Sequence, residues 1–193
     1  MDKLTIKKED AVLVAIDFQV KLMANMYGKE KVEETISRFV RGIRLFEIPI
    51  LVTQQYTKGI GPTTPDVTAA LTEKLADNVP ETSFEAIEKT TFSAMREPDF
   101  VKALEKTGKK TVILTGMESH ICVLQTAMDL IEAGYKVFAV LDCMASRTPE
   151  NKELAQIRMA QAGAVITSYE AMLFELTNDA KNPAFKQVSS LVK

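Results

Sequence analysis

A continuous apolar run closed by an acid constrains this fold more than any other stretch of the sequence. Ala11-Val-Leu-Val-Ala-Ile leads directly into Asp17, Phe18 and Gln19, and Ala11 to Gln19 reads as one strand. A strand with no hydrophobic–polar alternation must be covered on both faces, as inside a parallel sheet packed by helices. Ile50 to Tyr56, Thr111 to Leu114, Tyr135 to Asp142 and Ala164 to Thr167 read as further strands, and Tyr135 to Asp142 again ends in an acid. A short strand near the sheet edge is expected within Phe84 to Thr91.

Helical patterns fill the intervals. Val32, Ile36, Phe39, Val40, Ile43 and Phe46 form one apolar stripe on a helix from about Lys31 to Phe46. Shorter helices are expected from Pro65 to about Leu75 and from Pro98 to Lys106. Ser119 reads as the N-cap of a helix in which Ile121, Leu124, Met128 and Ile131 recur at helical spacing until Gly134. Thr148-Pro149-Glu150 supplies a cap, a first-turn proline and a first-turn acid for a helix to Gln161, which Gly163 ends. Ser168 caps a further helix through Leu176, and Asn182 to Leu191 is helical. Strands alternating with helices, joined by right-handed crossovers, predict a doubly wound three-layer α/β/α fold with a mostly parallel, Rossmann-like sheet. The chain has 193 residues, 46% of them hydrophobic, enough for a single domain over residues 1–193 with one sizeable core.

In such folds ligands sit at the carboxyl ends of the strands, where the strand order switches direction. The Ala11 strand and the Thr111 strand are the natural neighbours at that point, so Asp17 and Cys122 should converge there. Cys122 lies where a strand hands over to a helix, the mechanical plan of a nucleophile elbow. Free helix N–H groups at that position favour a thiolate. A small buried hydrophobe is the plainer account of a free cysteine, and it is the reading given to Cys143. Two cysteines are too few for a disulfide framework and lack zinc-finger spacing. A formal charge of -2 gives no electrostatic case for nucleic acid or an anionic membrane, and no apolar run reaches membrane-spanning length. Met1-Asp-Lys shows no signal-peptide pattern, so a cytoplasmic protein with reduced thiols is expected.

Three blocks carry a resemblance. Asp17-Phe-Gln19, Lys89-Thr-Thr-Phe-Ser-Ala-Met95 and Gly116-Met-Glu-Ser-His-Ile-Cys-Val123 are similar, in order and spacing, to the signature blocks of the isochorismatase-like cysteine hydrolases. Gln125 to Leu130, Ala145-Ser-Arg147, Arg158 to Gly163 and Pro183 to Lys193 resemble the isochorismatase domain-containing branch of that family. The resemblance implies an Asp–Lys–Cys triad of Asp17, Lys89 and Cys122. In it the acid takes the thiol proton, the lysine lowers the relevant pKa values, and the sulfur forms a covalent acyl-enzyme. It also implies an oxyanion hole from the backbone N–H groups of Glu118 and Cys122, a cis peptide between Met117 and Glu118, and a homo-oligomer. Phe18, Gln19, Tyr56 and Met95 are candidates to line a small-molecule substrate pocket, although core packing accounts for Phe18, Tyr56 and Met95 equally well.

Each of these residues has an ordinary role as well. Asp17 can cap a loop, and Lys89 can be a solvated surface charge. His120, the sole histidine, sits beside the nucleophile, but residues two apart on a helix do not face each other. Asp142 and Arg147 read as organisers of their loop. Nicotinamidases of this fold carry a metal held by an aspartate and several histidines, whereas this chain has Gln54-Gln-Tyr-Thr-Lys58 in that region. No metal or other cofactor is expected. Isochorismate hydrolases cleave a vinyl ether without a cysteine at this position, so Cys122 argues against that reaction. The residues favour metal-free hydrolysis of a small amide or carbamoyl-type C–N bond. A non-catalytic binding or redox-sensing scaffold is the second hypothesis, since an activated thiol oxidises whether or not it turns anything over.

Overall fold

A computed structural model describes residues 5 to 193; Met1-Asp-Lys, on which the expectation about a signal peptide rests, lies outside the described residues. Strand β1 (Ala11–Ile16) is followed by α1 (Val20–Met23), α2 (Lys29–Leu45), β2 (Ile50–Gln55), α3 (Thr57–Ile60) and α4 (Pro65–Thr72). Then come β3 (Ile87–Lys89), α5 (Pro98–Thr107), β4 (Thr111–Met117), a π-helical turn at Ser119–Val123 and α6 (Leu124–Glu132). The chain finishes with β5 (Lys136–Ala145), α7 (Pro149–Ala162), β6 (Val165–Thr167), α8 (Tyr169–Thr177) and α9 (Phe185–Leu191). The strands form one sheet in the order β3-β2-β1-β4-β5-β6, and every pairing is parallel. The order reverses between β1 and β4, the neighbours expected at the switch point.

Alternate residues of β1 feed two cores, which is why the whole strand is apolar. Leu13 and Ala15 pack with Ile36, Phe39, Val40 and Ile43 of α2 and with Met172 and Leu173 of α8. Val12, Val14 and Ile16 pack with Phe100 and Leu104 of α5, Leu124, Ala127 and Leu130 of α6, and Ala155 and Met159 of α7. Thr148 and Ser168 do cap their helices, accepting from the backbone N–H groups of Asn151 and Ala171.

The differences from the sequence reading cluster at the carboxyl ends of strands. The first strand stops at Ile16 because Asp17 takes a positive φ of 54°, and α1 begins right after Gln19. Tyr56, also at positive φ, ends β2 one residue early and opens the short α3. In the other direction, β4 runs through Gly116 to Met117 and β5 through Asp142 to Ala145, both past the expected ends. Gly116 is indispensable there: its φ is 136°, and a β-carbon would collide with the carbonyl oxygen of Ile16 on β1. Ser119 is not an N-cap. It enters the π-helical turn itself, and its hydroxyl is buried without a hydrogen-bond partner among the described residues.

Candidate active site

Parallel register brings the candidate residues together. Ile16 pairs with Thr53, and Gln55 pairs with Lys89, so the carboxyl ends of β1, β2 and β3 lie side by side. The left-handed turn at Asp17 leaves its carboxylate wholly buried over that edge. Lys89 Nζ donates to Asp17 Oδ2 at 2.7 Å across 72 residues of sequence, and both side chains have no exposed surface. The ammonium also donates to Gln55 Oε1 at 2.6 Å and to the carbonyls of Thr91 and Phe92, each at 3.2 Å. Thr53 Oγ1 donates to Asp17 Oδ1 at 2.7 Å. A buried charge pair survives only when its remaining donors and acceptors are satisfied in this way.

Cys122 completes the group from the other side. It is 6% exposed and sits in the π-helical turn, with its thiol beside Asp17 and the backbone N–H of Glu118 reaching toward the sulfur. The Met117–Glu118 peptide is cis. Thr126 ties the turn to α6 by donating to the Cys122 carbonyl at 2.7 Å.

The electrostatics differ from the expected helix-terminus thiolate. Burial, then the neighbouring Asp17 carboxylate, push the thiol up to about 12, against the weaker pull of Lys89 and the Glu118 amide. Burial likewise raises the Asp17 carboxyl above its usual range, although Lys89, Thr53 and the thiol oppose it. Lys89 therefore moderates both groups without reversing the cost of desolvation. In the resting site the proton stays on sulfur, beside a carboxylate made more basic by its surroundings.

One consequence is measurable as stability. The folded chain binds the thiol proton more tightly than the unfolded chain, so the stability this provides is complete below about pH 9 and is lost as pH rises toward about 12. Denaturant unfolding of the wild type should weaken more steeply over that interval than unfolding of Cys122→Ala. Parallel curves would show that the thiol is not held in its protonated form by the fold.

Gln19 is fully buried; its amide donates to the carbonyls of Gln55 and Gly61 and accepts from the Gln55 N–H, bracing the β1 and β2 ends. Phe18 is buried in the core on the α2 side. Met95 packs at the margin of the core that contains Cys122, and Tyr56 is half exposed. His120 Nδ1 is paired with Ser146 Oγ at 3.0 Å, and Arg147 Nε donates to Glu118 Oε2 at 2.8 Å. Asp142 accepts from the Tyr169 N–H at 2.8 Å, and Cys143 is completely buried. A cavity of about 470 Å³ between Tyr27, Asp142, Ser146 and Lys152 contains none of Asp17, Lys89 or Cys122. Thr53 and Gln55 were missed from sequence. Their signal is two polar residues at i, i+2 on one face at the carboxyl end of a strand that begins apolar.

Among the described residues no group of three or more His, Cys, Asp or Glu is placed to hold a metal ion. No helix among them is long and apolar enough to cross a membrane.

Residues 11–171 match the family model of the isochorismatase domain. The chain is 35% identical to the secreted isochorismatase effector Isc1 of Phytophthora sojae, over 95% of this chain and 84% of that one. Its fold is similar to the MAR1 ribonuclease of Caenorhabditis elegans, with 36% identity, a TM-score of 0.84, and 97% and 92% of the two chains covered. It is also similar to the YcaC gene product of Escherichia coli, an octameric hydrolase of unknown specificity, with 26% identity, a TM-score of 0.87, and 99% and 90% covered.

Proposed function

The chain belongs to the isochorismatase domain family, and from that premise we propose that it is a metal-free cysteine hydrolase of small amide or carbamoyl-type substrates, acting through Asp17, Lys89 and Cys122. The observation that carries this reading is the wholly buried Lys89–Asp17 pair beside the Cys122 thiol. A binding or sensing scaffold gains nothing from burying an ion pair, since apolar residues of the same volume are as stable or more so.

The chemistry follows from the proton's resting place. As Cys122 Sγ attacks the substrate carbonyl carbon, its proton passes to Asp17, and the carbonyl π electrons become an alkoxide facing the N–H groups of Glu118 and Cys122. Collapse of the tetrahedral adduct breaks the C–N bond, and Asp17 returns its proton to the departing nitrogen. Water then attacks the thioester while giving a proton to Asp17; the acid leaves and the proton returns to sulfur. Lys89 keeps its charge throughout and offsets the negative charge shared by acid and sulfur.

Single-turnover mass spectrometry against a panel of small amides tests this. An acyl mass on Cys122 that forms and decays with product release is the expected result; its absence across the panel, with product still appearing, would remove the covalent route. Dialysis against a strong chelator should leave turnover unchanged, because the sole histidine is already engaged by Ser146. Loss of activity restored by added zinc or iron would overturn the metal-free assignment.

A small molecule is the partner in this reading. The formal charge of -2 offers no counterion-release driving force toward RNA. Assembly as a homo-oligomer is proposed on the half-exposed Leu154 and Ile157 of α7, and the E. coli neighbour is an octamer. A cytoplasmic location is proposed on the two unpaired, buried thiols. The Phytophthora relative is secreted by name, and cell fractionation decides between the two locations.

A further inference from the structure

One dipeptide grips the nucleophile turn at two points. Ser146 and Arg147 directly follow β5, and β5 is hydrogen-bonded to β4 up to the pair Met117–Ala145. Ser146 is 1% exposed, and its hydroxyl is paired with His120 Nδ1, two residues before the nucleophile. Arg147 Nε donates to the carboxylate of Glu118, the residue whose backbone N–H reaches the Cys122 sulfur. The Glu118 side chain is only 11% exposed, while that of Arg147 is 57% exposed.

The placement poses an electrostatic problem. Glu118 offers its amide to the developing oxyanion but carries a nearly buried carboxylate on the same residue. Unpaired, that carboxylate would oppose negative charge on the substrate oxygen that the Glu118 N–H is to receive. Arg147 is the group that cancels it.

We propose that Ser146 and Arg147 are positioning residues for the oxyanion turn. Arg147 neutralises Glu118, so that its N–H can stabilise a tetrahedral oxyanion, and Ser146 fixes the adjoining part of the turn through His120. The proposal rests on the cysteine-hydrolase reading and assigns two residues that the triad does not include. Neither touches the reacting atoms. Their effect is confined to steps in which an oxyanion forms.

Two probes of Cys122 separate that effect from a general loosening. Acylation by 4-nitrophenyl acetate passes through a tetrahedral oxyanion and releases nitrophenolate; alkylation by iodoacetamide displaces iodide with no oxyanion. Arg147→Gln should slow acylation about fivefold to tenfold, the size expected for a charge partly screened by solvent, and leave alkylation within about twofold. Glu118→Gln/Arg147→Gln should recover most of the lost rate, because the opposing carboxylate is gone and the backbone donor remains. Ser146→Ala should slow acylation roughly fivefold, the scale of one hydrogen bond. If acylation and alkylation fall together, or the double variant is no faster than Arg147→Gln, the pair is merely structural and the proposal is overturned. Unchanged acylation in Arg147→Gln overturns it too. A wild-type chain that alkylates at Cys122 but never acylates would instead overturn the hydrolase reading, and the proposal with it.

Discussion

Cys122→Ala should lower turnover by at least about a thousandfold while leaving a folded protein. The side chain is small, so its removal opens little cavity, and loss of its polar contact with Asp17 costs about 1 kcal/mol. Cys143 offers no substitute: it is completely buried, and burial together with Asp142 raises its thiol well above the usual range. The check is kcat on whichever amide acylates the wild type, with urea unfolding of the same preparation. Turnover in Cys122→Ala within about tenfold of wild type would place the nucleophile elsewhere and end the triad reading.

Lys89→Met should damage both stability and catalysis, and a second substitution should separate the two. Removing the ammonium strands a wholly buried Asp17 carboxylate, a change that costs about 3–5 kcal/mol. Gln55 and the carbonyls of Thr91 and Phe92 lose their shared donor at the same time. Asp17→Asn/Lys89→Met removes the orphaned charge and should recover much of that stability. It should recover no turnover, because neither a base nor a balancing cation remains. Chemical denaturation and kcat measured on both variants test this together. A Lys89→Met protein as stable and as active as wild type would show that the pair is incidental. A double variant no more stable than the single would show that the cost lies in lost packing of the lysine stem.

Much of the architecture was legible because burial on two faces leaves an unmistakable apolar run. Ala11 to Ile16 and Thr111 to Leu114 could be placed as neighbours without any knowledge of their register. The strand ends were not legible. Asp17 and Tyr56 break their strands through positive φ, a choice of backbone that no periodicity encodes. Ser119 had the residue type of a cap but was drawn into the π-helical turn, where tertiary packing outweighs local preference. Asp17 and Cys122 could be singled out from strand ends and the elbow position, and Lys89 only through block resemblance, whereas Thr53 and Gln55, which hold Asp17 and Lys89 in place, lie outside every block. Charge state was the least legible property. A helix terminus argues for a thiolate, but desolvation depends on what covers the sulfur, and that is settled only by the folded chain.

The sheet order also sets a clock. β1 lies between β2 and β4, yet β4 and the nucleophile turn follow it only after β2, β3 and five helices have passed. Closing so long a loop costs entropy that is recovered only when β1 and β4 zip together. During synthesis Asp17 and then Lys89 leave the ribosome well before Cys122, so a growing chain holds the two charged partners without the thiol. The three side chains meet only when the sheet closes. A fragment that ends ahead of β4 lacks the thiol outright, and one that begins after β3 has the thiol without Asp17 and Lys89. In the proposed function, reactivity is thereby tied to completion of the fold.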